Sequence, residues 1–159
     1  MPSPDPLPLS LFRPPIVLVV ESRTSARTSL CRLLRALGYD ARVARDGQQA
    51  LRMLRQHPTL YQLVLTSTLL PDMDGGELAR QVGRAWPGTR VMLTADYAAI
   101  GTSAAVLAAH PELPVLRKPF GFRELYEAVC RLAGPPRAAV PLMGKTGPRL
   151  RRRTRISVP

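Results

Sequence analysis

Apolar residues along this chain follow two alternating rhythms. Ile16–Val20 (IVLVV), Leu63–Thr66 (LVLT) and Arg90–Thr94 (RVMLT) are short, mostly apolar runs. Runs of this length and kind suit strands covered on both faces. Asp40–Val43 and Val115–Arg117 are shorter stretches that predict two more strands. Between them the spacing turns helical. Ser25–Leu37 places Leu30, Leu33, Leu34 and Leu37 on one stripe, and Gly38 closes it. Gly47–Gln56 gathers Ala50, Leu51 and Leu54, and Gly76–Trp86 runs up to Pro87-Gly88. Ala98–Ala109 is an Ala-rich, weakly patterned helix, and Phe120–Leu132 turns Leu125, Val129 and Leu132 inward before Gly134-Pro135.

Five strand–helix pairs in this order predict right-handed crossovers and a parallel sheet with helices on both faces. Such sheets carry their working groups on loops at the carboxyl ends of the strands. Here those loops hold Glu21-Ser22, Ser67, Thr94-Ala95 and Lys118-Pro119.

The flanks have no such rhythm. Residues 1–15 carry six prolines and are expected to be extended and mobile. Residues 135–159 mix Pro, Gly and Arg with little to bury and are expected to form a second flexible segment. The domain proper is thus expected over residues 16–134. The N-terminus lacks a secretory pattern and no run of about 18 apolar residues occurs. A cytoplasmic protein with no membrane span is expected.

Charge sharpens this division. The formal net charge is +12, and residues 135–159 contribute seven basic residues and no acid. The remaining 16 basic residues face 11 acids. Five arginines, Arg149, Arg151, Arg152, Arg153 and Arg155, fall within seven positions. They are candidate contacts for nucleic-acid phosphates or an acidic protein partner. No aromatics are interleaved for base stacking, so any nucleic-acid binding by the tail would be nonspecific. Ile156 and Val158 offer a third reading, a strand added to a partner.

Other chemistry is sparse. Cys31 and Cys130 have no CxxC partner and read as buried, reduced thiols. His57 and His110 lie beside prolines and read as surface loop residues. MGKTG (Met143–Gly147) has Ala139 where a phosphate-binding loop needs its first glycine. No catalytic residue set is supported, and the chain is not expected to be an enzyme.

A group of motifs resembles the response-regulator receiver domain of bacterial two-component signalling, the CheY-like fold. They are VLVV followed by an acid, LCRLLRALGYDARVARDGQQAL, LVLTSTLLPDMDGGEL, VMLTA and LRKPF, spanning roughly Pro15 to Gly134. The resemblance implies a flavodoxin-like α/β fold, a five-stranded parallel sheet of order 2-1-3-4-5 with five helices. It also implies a phosphorelay role, in which an aspartate ending the third strand accepts a phosphoryl group.

This chain departs from that pattern at three places. The acceptor position, four residues before Pro71, holds Ser67. A serine hydroxyl is a poor nucleophile without a neighbouring base. The acidic pair that holds Mg²⁺ in the family becomes Glu21 and Ser22, and Mg²⁺ wants carboxylate oxygens. The aromatic switch position, three before the lysine, is Val115. Thr94 and Lys118 match the retained switch positions. The expectation is a degenerate, phosphorylation-independent pseudo-receiver that binds no metal or other cofactor. Glu21 is the expected new partner of Lys118. The resemblance places protein docking on the face of helix 4, strand 5 and helix 5, with a second copy of the chain among the candidate partners. Two rivals stay open: a nucleic-acid-associated protein working through its arginine tail, and a receiver that still uses Ser67.

Overall fold

The computed structural model describes residues 13–97 and 100–136. The proline-rich segment before residue 13 and the segment after residue 136, with Arg149, Arg151, Arg152, Arg153, Arg155 and the MGKTG motif, lie outside the described residues.

Strands β1 (Ile16–Val20), β2 (Asp40–Ala44), β3 (Leu63–Ser67), β4 (Arg90–Asp96) and β5 (Val115–Lys118) alternate with helices α1 (Thr24–Ala36), α2 (Gly47–Gln56), α3 (Gly75–Ala85), α4 (Thr102–Ala109) and α5 (Phe122–Ala133). All four strand pairings are parallel, in the order β2-β1-β3-β4-β5. This is the flavodoxin-like fold that the motifs implied. The interior strand β1 shows why an unbroken apolar run was needed: every one of its residues is buried. Val17 and Val19 face a core shared with α1 and α5, including Leu34, Leu125 and Val129. Leu18 and Val20 face the opposite core, with Leu51, Leu54, Leu78 and Val82 from α2 and α3. Each fully buried Leu or Val contributes about 1.5–3 kcal/mol of transfer free energy.

Helix α1 ends as its glycine requires. Gly38 has φ 93°, and Tyr39 N–H returns to the Leu34 carbonyl at 3.0 Å. Cys31 is buried, and burial pushes its thiol pKa up. Cys130 is only half-buried, which corrects the expectation for that thiol.

Several element limits move. The strands β2 to β5 run one or two residues further than their apolar runs, because pairing continues past the last apolar side chain. Helix α5 begins at Phe122 rather than Phe120, since Gly121 is its N-cap and the preceding Lys118–Pro119 peptide is cis. Helix α4 begins at Thr102 rather than Ala98, after Gly101 at φ 58°. Only Val106 of this helix is buried. His110, at its C-cap, is not a free loop residue. Its side chain is 24% exposed, its Nδ1 is 3.4 Å from Glu112 Oε1, and its ring fills the space where a Cβ on Gly76 would sit. No helix among the described residues is long and apolar enough to cross a membrane.

Candidate functional site

The carboxyl ends of β1, β3, β4 and β5 bring Glu21, Ser67, Thr94 and Lys118 to one end of the sheet. Ser67 and Thr94 are register partners across β3 and β4, and Asp96 and Lys118 are partners across β4 and β5.

Lys118 Nζ donates to Glu21 Oε2 at 3.1 Å. The other carboxylate oxygen, Oε1, accepts the Arg23 backbone N–H at 3.0 Å. Glu21 is 4% exposed, so this is a carboxylate held inside the fold. Burial alone would raise its pKa. The Arg23 amide and the Lys118 ammonium outweigh that and hold Glu21 below its usual range. Arg27 fixes the same loop from α1, donating Nη1–H to the carbonyls of Glu21 at 2.7 Å and Ser22 at 3.0 Å.

Ser67 is half-buried at the end of β3. Its neighbours use its backbone. Thr66 Oγ1 donates to the Ser67 carbonyl at 3.1 Å, and a Cβ on Gly75 would strike that carbonyl. That approach explains the glycine, because the turn folds α3 directly onto the strand end. Thr94 is 3% exposed and its hydroxyl donates to the Thr66 carbonyl, at a long 3.4 Å. Val115 is half-buried at the start of β5.

The acids of the LPDMDG turn serve as helix caps. Asp74 accepts the Glu77 N–H at 2.8 Å and caps α3. Asp72 reaches across to α2, accepting the N–H groups of Gly47 at 2.9 Å and Gln48 at 2.8 Å. Asp46 caps the same helix through Gln49 N–H at 2.7 Å. Burial pushes the Asp72 carboxyl up, but these amides outweigh it and hold its pKa below the usual aspartate range. Asp72→Ala is expected to cost about 1 kcal/mol in urea unfolding at neutral pH. A lowered folded pKa gives stability above the usual range that is lost as pH falls through the folded value. The gap between D72A and the parent chain should therefore narrow in acid.

Receivers of the usual kind hold Mg²⁺ on this loop cluster, and the donors here do not suit it. Two carboxylates line the cleft: Glu21, both of whose oxygens are engaged, and Asp96, exposed at the end of β4. Ser22 and Ser67 bring neutral hydroxyls, whereas Mg²⁺ is held mainly by carboxylate and phosphate oxygens and its own waters. Among the described residues no group of three His, Cys, Asp or Glu side chains is placed to share an ion.

Besides the Asp72 cap, sequence reading missed three features here. Asp96 lies past the apolar run and lines a cleft of about 450 Å³ with Glu21, Arg23, Lys118 and Phe120. Tyr97 and Ile100, on the β4–α4 connection, are 79% and 82% exposed. Thr68 is buried and ties the β3–α3 turn to α4 by a hydroxyl pair with Ser103 at 2.7 Å.

A parallel 2-1-3-4-5 sheet with a lysine, a threonine and an acid gathered at its carboxyl end defines a receiver-type domain. The response regulator receiver domain model matches residues 17–130, and the chain belongs to that family, whose members serve two-component signalling. The response regulator receiver protein CpdR of Brucella abortus (strain 2308) is 30% identical over 113 residues, covering 71% of this chain and 92% of that protein. The transcriptional regulatory protein ZraR of Escherichia coli (strain K12) is 31% identical over 109 residues, 69% of this chain but only 24% of that protein. Among solved structures, the signal receiver domain of an HD domain-containing protein from Pseudomonas fluorescens Pf-5 is 30% identical. It superposes at a TM-score of 0.65 over 76% of this chain and 94% of that one.

Proposed function

We propose that this receiver domain works without phosphorylation, as a cytoplasmic, non-enzymatic docking module of a bacterial signalling or transcription-related complex. One observation carries the reading: the Lys118 ammonium is already neutralised by Glu21 at 3.1 Å, while Ser67 stands where the acceptor carboxylate would be. A lysine so paired is not free to pair with a phosphoryl group, and the donor set does not suit Mg²⁺. The docking face is then α4, β5 and α5, with exposed Tyr97 and Ile100 at its margin. Its partner is a protein, a second copy of the chain included. Binding through the arginines from Arg149 to Arg155, which lie outside the described residues, is the rival reading.

Acetyl phosphate, or a phosphorylated kinase, with Mg²⁺ tests the proposal. Intact mass is expected to show no phosphoryl adduct, and Ser67→Ala should bind the native partner as the parent chain does. An adduct mapped to Ser67 would sink the reading.

A further inference from the structure

Helix α4 is held unlike its neighbours. Helices α2 and α3 each bury four or more residues, whereas α4 buries Val106 alone. Its N-cap is Gly101, which supplies no side-chain cap. A helix with so small an apolar anchor depends on its few specific contacts.

Thr68 supplies one of those contacts from the start of the β3–α3 turn. Its N–H donates to the Thr94 carbonyl at 3.2 Å, and its carbonyl accepts Gly75 N–H at 2.8 Å. Its hydroxyl pairs with Ser103 Oγ, in the first turn of α4, at 2.7 Å. Thr68 is 4% exposed, so the bond is largely shielded from water. One residue thus joins β4, the start of α3 and the start of α4. At the other end of the helix, the His110 ring rests on Gly76.

We propose that the Thr68–Ser103 hydroxyl pair is a latch that sets the position of α4 and thereby the shape of the docking face. Its consequence for docking rests on the proposed function; the latch itself does not. Thr68 is a positioning residue here. Without its hydroxyl, α4 keeps one buried apolar residue and the His110 contact, and it opens more often while the sheet stays closed.

Amide hydrogen exchange on the free 159-residue chain tests this with no partner present. Thr68→Val keeps the shape and removes the hydroxyl. Loss of one hydrogen bond should speed exchange in residues 103–109 by roughly 3- to 10-fold. Exchange in β1 should stay as in the parent. Ser103→Ala should act in the same way, and Thr68→Ser should restore slow exchange. The latch is overturned if T68V and S103A leave α4 exchange unchanged, if β1 accelerates equally, or if T68S fails to rescue. These outcomes are independent of whether a protein docks on the face.

Discussion

Glu21→Gln is expected to lower stability by about 2 kcal/mol at neutral pH, a drop of roughly 6–12 °C in Tm. Removing one partner of a buried pair costs about 3–5 kcal/mol, because the other charge stays behind without compensation. The figure is discounted because the Lys118 side chain is 20% exposed and can reach water. Glutamine still offers an oxygen to the Arg23 N–H, so the loss isolates the charge. Lys118→Met should also destabilise, by stranding a carboxylate that is 4% exposed. The double variant E21Q/K118M should recover about 1–2 kcal/mol of the summed losses, the sign of a direct pair. Because the folded pKa of Glu21 lies below its ordinary value of 4.5, the pair stabilises fully above that pH. The advantage over E21Q should shrink as pH falls below it. Equal stability of E21Q and the parent at pH 7 in urea titrations would mean that the pair stabilises nothing.

The second large effect is a gain. Ser22→Asp with Ser67→Asp should create a Mg²⁺ site and a nucleophile in one step. Two added carboxylates, each worth at least about 1.4 kcal/mol towards a dication, raise Mg²⁺ affinity on the order of 100-fold. Lys118 would then have an aspartate at 67 to pair with, beside Glu21. With acetyl phosphate, a carboxylate oxygen of the new aspartate attacks phosphorus and acetate leaves. Intact mass should show a phosphoryl adduct on S22D/S67D that depends on Mg²⁺, and none on the parent chain. If the double variant stays unmodified, further obstacles beyond these two positions block the chemistry.

Much of the sheet was legible because β1, β3 and β4 are buried on both faces and leave uninterrupted apolar runs. Helices α1, α2 and α5 were legible because each carries one apolar stripe. The start of α4 was not, since Ala residues bury little and give no period; Gly101 alone marked its true beginning. Within the site, Glu21, Ser67, Thr94 and Lys118 could be found from their places after strands. Asp72 could not, because its partners Gly47 and Gln48 lie 25 and 24 residues away. A capping contact between distant segments leaves no local spacing to read. The Thr68–Ser103 pair was hidden for the same reason, across 35 residues. Asp96 went unnoticed because strand pairing carried it past the end of the apolar run.

The strand order has a consequence for how two copies of the chain could meet. β2 and β5 are the open edges of the sheet, and each displays an exposed arginine, Arg42 on one and Arg117 on the other. Charged side chains on an edge strand guard it against edge-to-edge joining; on β2, Arg42 is paired with Asp40 of the same strand at 3.1 Å. Val43, 41% exposed on β2, is too small a lure to offset that. Such charged edges count against growth of the sheet into a fibre or a continuous dimer sheet.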